Sequence, residues 1–284
     1  MNLHTPTTTP RLKAVSSSPT VWLWLSLLAA LLAVAGSVVS LTVGSIYARL
    51  TPVFLPQALA QDVANLALAS PALLILAALA LRGSLRAYLL WLGVLTFTVY
   101  NYIIYTYSLP FGSLYLVWIA VLGLCVFALL GGVAVVDHAA VAARFPNRRA
   151  VQVVAWAFVV VAIFFGFLWL SEDVPALLSG STPQSVVDMG APTNSVHVND
   201  LAFFLPAVVV TGVALLKRKP LAFTLAPAFL VFLILTGIPI LLTPVVQTVR
   251  GETAGWGPAV PIGVLTLVLL GLLAWLLSTL RSGG

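Results

Sequence analysis

Residues 21–44 read VWLWLSLLAALLAVAGSVVSLTVG, an unbroken run without a charged side chain. A helix needs about 20 apolar residues to cross the hydrocarbon core of a bilayer, about 30 Å thick. This run is long enough. Arg11 and Lys13 precede it as they would in a signal peptide, but the apolar stretch of a signal is only about 7–15 residues long. The run therefore predicts an uncleaved first membrane helix. Residues 1–20, rich in Thr, Ser and Pro, read as a disordered tail before it.

Similar runs follow at 63–81, 87–109, 113–136, 150–170, 200–216, 221–243 and 259–280. Lipid offers no hydrogen bonds, so a spanning backbone must satisfy its own, as a helix does. A membrane barrel would instead show ten-residue segments of alternating polarity. Of the 284 residues, 61% are apolar and 7% charged, against about 25% charged in a soluble domain. So few charges cannot cover a water-facing surface of this size. The expected fold is all-α: a polytopic transmembrane bundle of about eight helices forming one domain over 21–281.

Sidedness follows from the basic residues. If the N-terminus lies inside, eleven of the 13 Lys and Arg fall on inner segments, and only Arg49 and Arg250 fall outside. Such a bias marks the cytoplasmic side and predicts a cell-membrane protein with both termini in the cytoplasm. The net charge of +6 is thereby read as a topology signal, and no nucleic-acid partner is expected. Arg148, Arg149, Lys217, Arg218 and Lys219 are placed to meet anionic lipid head groups, with protein docking as the alternative.

SPALLILAALALRGSL (70–85) aligns with LPAVVVTGVALLKRKPL (205–221) at an offset of 135, pairing Pro71 with Pro206 and Arg82 with Lys217. This points to two four-helix halves of the same orientation, 21–136 and 150–281, related by an axis along the membrane normal. Chance alignment of apolar runs is the alternative. Of the long outer segments, 45–62 reads as a short interfacial helix and 171–199 as an external loop or lid.

Three places carry candidate chemistry. Asp62 and Asn65, three apart, share a helix face. They are either a helix cap or ligands for a cation, proton or polar solute. His197, Asn199 and Asp200 mark the matching position in the second half, again as cap or as site, with His197 and Asp200 able to pair around a proton. Thr98, Asn101, Tyr102 and Tyr105 form one helical stripe. An unpaired Asn101 amide at that depth is costly, so it must bond a neighbouring helix or line a wet cavity. Tyr105 and Tyr107 also suit an interfacial aromatic belt. Trp22, Trp24, Trp91, Trp118 and Trp256 suit interface or packing positions.

Proline at 71, 206, 227, 239 and 244 is assigned to helices two, six and seven. Pro239, following Gly237, marks either a broken helix of the kind found at transport sites or an ordinary membrane proline. The single Cys125 cannot form an intramolecular disulfide. No Cys/His spacing suits zinc, an iron–sulfur cluster or haem, so no metal or cofactor is expected. Phosphate-binding, nucleophile-elbow, metalloprotease and dinucleotide motifs are missing. No charged residue lies deep within the apolar runs, so a proton wire or voltage sensor lacks its usual parts.

QDVANLALASPALLILAALALRGSLRAYLLWLGVLTFTVYNYIIY and NDLAFFLPAVVVTGVALLKRKPLAFTLAPAFLV resemble a family of bacterial polytopic integral membrane proteins with no assigned activity, a likeness that covers helices two to four and six to seven, over a third of the chain. The resemblance implies a bacterial inner-membrane setting and this topology, and it transfers no site residues. The functional readings are three: transport or binding of a small polar solute or ion at an outward polar site; a membrane-embedded enzyme or sensor at the outer leaflet; and a non-catalytic subunit of a membrane complex.

Overall fold

The structure, a computed structural model, describes residues 19–281. The N-terminal tail expected over 1–20 lies almost wholly outside the described residues. Among the described residues eight helices are long and apolar enough to cross a membrane: α1 Thr20–Thr42, α2 Phe54–Leu81, α3 Leu85–Ser108, α4 Tyr115–Ala134, α5 Arg148–Ser179, α6 Ser195–Leu216, α7 Pro220–Val249 and α8 Ala259–Ser278. Two short helices, His138–Ala143 and Gln184–Met189, lie in the connections. The chain is an all-α, multi-pass integral membrane protein.

Several helices outrun their apolar stretches. α2 starts at Phe54, inside the segment read as interfacial, and α5 continues to Ser179, inside the segment read as a loop. Residues 171–199 are thus mostly helical, with a break only around the Gln184–Met189 turn of helix. The cause is simple: loss of hydropathy marks where lipid ends, whereas the backbone ladder stops only at a cap. A helix of 32 residues, such as α5, is about 48 Å long and must project beyond a core of about 30 Å. α7 is likewise one helix through Pro227, Pro239 and Pro244. The break considered at Pro239 is not formed, because α2, α3 and α8 pack around it and such packing tolerates interior proline.

Burial and hydropathy run opposite to each other. α3 has the lowest mean hydropathy, 1.5, and is 83% buried, whereas α8 has 2.5 and is 22% buried. In lipid the outer helices must present apolar side chains, and the central one can carry a larger share of Thr, Asn and Tyr. α3 packs mainly against α7, α4 and α2. At the α3–α7 crossing a Cβ on Gly93 would lie 2.7 Å from the Ala228 carbonyl and 2.5 Å from Val231 Cβ, so only glycine permits this approach.

The helices alternate in direction, and their basic ends meet. The Arg86 guanidinium donates to the Leu280 carbonyl (3.1 Å), the Arg281 amide donates to the Arg144 carbonyl (3.0 Å), and the Phe145 and Phe223 rings are 6.0 Å apart. At the opposite end Arg49 donates to the Phe111 carbonyl, Thr51 to the Asp188 carbonyl, and Ser108 to Ser195.

Local geometry recurs at the offset of 135. α2 contains a π-helical stretch at Asn65–Ala69 and α6 one at Asp200–Phe204. Ser70 N–H donates to the Asn65 carbonyl, and Leu205 N–H to the Asp200 carbonyl. Each stretch is followed by proline at 71 and 206, which supplies no N–H to an α-helical ladder. Both helices then end in the same turn. Ser84 N–H donates to the Leu79 carbonyl (3.1 Å) and Lys219 N–H to the Ala214 carbonyl (2.8 Å). Gly83 and Arg218 hold the left-handed position of that turn, at φ of 92° and 53°. Gly93 and Ala228, in contact across α3 and α7, are also 135 apart.

Candidate functional site

Asp62 lies well inside α2 and Asp200 inside α6. Neither is a helix cap; the cap of α6 is Asn194, whose Oδ1 accepts from the amides of Val196 (2.9 Å) and His197 (3.2 Å). The helices begin earlier than their apolar runs, so both carboxylates, along with Glu172 and Asp173 of α5, sit within spanning helices rather than at their ends.

Asp62 is 2% exposed and enclosed by hydroxyls. Oδ1 accepts from Ser37 (2.9 Å) and Tyr105 (2.9 Å), and Oδ2 accepts from Tyr47 (2.6 Å). A buried carboxylate needs such a shell. A second layer joins Asn65 to it: Asn65 Oδ1 accepts from Gln61 (3.2 Å) and from Asn101 (3.1 Å), and Asn65 Nδ2 approaches the Tyr105 hydroxyl at 3.5 Å. The Asn101 amide thus has an inter-helix partner. Tyr105, a belt candidate by sequence, is buried and structural, whereas Tyr107 is 77% exposed. Tyr102 packs its ring on Tyr105, 5.1 Å between centroids.

The matching region of the second half is built differently. Asp200 Oδ2 accepts from the Trp169 indole N–H (2.8 Å), and the Tyr100 hydroxyl interacts with the same carboxylate. His197 stacks on the Trp169 ring, 4.5 Å between centroids. Its Nδ1 pairs with Asp173 (2.9 Å), while Nε2 lies 3.9 Å from Glu172. The Nδ2 of Asn199 is buried without a hydrogen-bond partner.

A cavity of about 400 Å³ lies between α2, α3, α5, α6, α7 and α8, in the half of the bundle away from the basic ends. Its polar lining includes Gln57, Gln61, Asn101 and Tyr105 from one side and Tyr100, Trp169 and Asp200 from the other, with Thr236, Thr243 and Thr266 along α7 and α8. Apolar walls come from residues such as Phe165, Leu205, Phe232 and Leu269. Of the residues singled out by sequence as candidate chemistry, Asn101, Tyr105 and Asp200 line this chamber. Asp62 and Asn65 lie one hydrogen bond behind it, and His197 faces a second recess with Asp173 and Asn194. Tyr102 and Asn199 line neither.

Sequence reading missed Trp169, Tyr100 and Gln61 in the lining, and Ser37 and Tyr47 in the shell of Asp62. Trp169 is 31 residues from the carboxylate it holds, and no local pattern links them. The one available signal was a proline six residues after a buried polar residue, at Asn65/Pro71 and at Asp200/Pro206. Among the described residues no group of His, Cys, Asp and Glu suits a metal ion. Comparison of the chain with protein-family models, curated proteins and solved structures finds no match.

Proposed function

We propose that this protein binds and conducts a small solute through the chamber between α3, α6 and α7, as a transporter of the bacterial cell membrane. The observation that carries the proposal is the chamber itself. It is large enough for an organic molecule, has mostly apolar walls with a few convergent polar groups, and is built at the junction of several helices, as ligand sites are. Asn101 and Asp200 approach it from different helices, so a bound solute would bridge them.

The orientation belongs to the same proposal. The nine described Lys and Arg of the basic end face the cytoplasm together with both termini, and the chamber opens outward. Arg148, Arg149, Lys217, Arg218 and Lys219 then rest against anionic head groups. The bundle is read as two parallel halves, 21–136 and 150–281. Support comes from the paired π stretches, the paired left-handed turns and the contact of Gly93 with Ala228. Such a repeat places a central site at the junction of its halves.

The test is thermal unfolding of the purified protein in nanodiscs against a panel of small polar and amphipathic solutes. At least one class raises the midpoint, and Thr236→Trp, which fills the chamber, removes that gain while the protein stays monodisperse. A gain that survives the filling contradicts the proposal. The enzyme reading draws on the His197–Asp173 pair, which has the form of an oriented base. No hydrogen bond among the described residues connects that base to a serine, threonine or cysteine nucleophile, and transport remains the better supported reading.

A further inference from the structure

We infer that the solute held in this chamber is an organic cation with an apolar body; the inference rests on the chamber being a solute site. Among the lining residues Asp200 is the one carboxylate, and there is no Lys, Arg or His. The nearest base, His197, is not part of the lining; it stacks on Trp169 and pairs with Asp173 at 2.9 Å, while lying within electrostatic reach of Asp200. A carboxylate facing low-dielectric space with no cation inside that space is unfavourable, and a cationic head group supplies one there. The same field opposes an anion.

The walls agree. Trp169 and Tyr100 both engage Asp200, so aromatic rings flank the place where the charge would rest, and cations are attracted to such rings. A bare divalent ion is a poorer match: among the described residues no group of His, Cys, Asp and Glu could hold a metal ion, and calcium and magnesium are held by several hard oxygen ligands, carboxylates foremost, of which the chamber offers one. The position equivalent to Asp200 in the first half is Asn65, a neutral amide already engaged with Gln61 and Asn101. Asp62 of the first half is enclosed by Ser37, Tyr47 and Tyr105 and does not line the chamber, so Asp200 is the carboxylate that a solute would meet.

The experiment uses the full chain in nanodiscs and three probes of similar shape: benzyltrimethylammonium, benzyl alcohol and benzoate. Binding is read by calorimetry and by the unfolding midpoint. Benzyltrimethylammonium binds, benzoate does not, and Asp200→Asn weakens the cation by about thirtyfold or more while retaining the elution profile of the folded protein. Should Asp200→Asn fail to fold, Trp169→Phe serves instead: it keeps an aromatic wall but removes the N–H that fixes the carboxylate, and it weakens the cation selectively. Equal binding of alcohol and ammonium, unaffected by either substitution, overturns the cation assignment and leaves the chamber reading standing. Binding of none of the three overturns the cation assignment as well. The chamber reading is then decided separately by whether the thiol of a Thr236→Cys variant is reached by a water-soluble reagent.

Discussion

Two aspartates of similar burial do different work. Asp62 has its acceptor sites filled by three hydroxyls from α1, the α1–α2 connection and α3, so it is a cross-link. Asp62→Asn places an amide N–H₂ against those donors and leaves hydroxyls unpaired, at a cost of about 2–3 kcal/mol; a lowered unfolding midpoint in detergent would show it. Asp200→Asn costs about 1 kcal/mol or less by the same measure, because the carboxylate borders open space and the group replacing it keeps room to find partners. Equal destabilisation by both would remove the distinction. Arg218 holds a left-handed conformation that its counterpart Gly83 adopts without strain. Arg218→Gly is expected to stabilise by about 0.5–1 kcal/mol, read as a rise in the midpoint. Sequence alone drew attention to Asp62 and Asp200, because a carboxylate beside an apolar run is conspicuous. It did not tell them apart, since that depends on Ser37, Tyr47 and Trp169, which only tertiary packing brings near.

At the scale of helices, α3 and α7 form the centre of the molecule. Gly93→Val puts a branched side chain into the Ala228 carbonyl and the Val231 side chain, already within 2.7 Å of a single added carbon. Overpacking of this kind costs about 1–3 kcal/mol or more, and loss of monodisperse protein on size-exclusion chromatography is the expected readout. The π stretches invite a second test. Deleting Ala67 returns α2 to an α-helical register and turns its N-terminal part by about 100°, carrying Asp62 away from Tyr105; the variant should not accumulate in the membrane. The polar stripe of α3 was legible from its 3.6-residue period. The π stretches were not, because apolar side chains such as Leu66 and Leu68 give the same hydropathy in either helix. The helix ends were misjudged for a related reason: Glu172 and Asp173 lower the hydropathy of α5 without stopping its backbone ladder.

For the whole molecule, the apolar runs and the gathering of Lys and Arg at alternate connections made the number of helices and their alternation readable. Nine described cations gather where Arg86 meets Leu280 and Arg281 meets Arg144. What the sequence withheld is the space between the helices. A cavity arises where large side chains fail to meet, and Asn101, Trp169 and Asp200 converge on it from three helices at positions without fixed spacing. The account stands on that space being wet and reached from outside the cell. The most direct measurement is labelling of a Thr236→Cys variant in intact cells with a small, membrane-impermeant thiol reagent; the native Cys125 is fully buried and serves as the unreactive background. The account predicts labelling without permeabilisation, slowed by benzyltrimethylammonium. An introduced thiol that reacts only after permeabilisation, or only after denaturation, would contradict it.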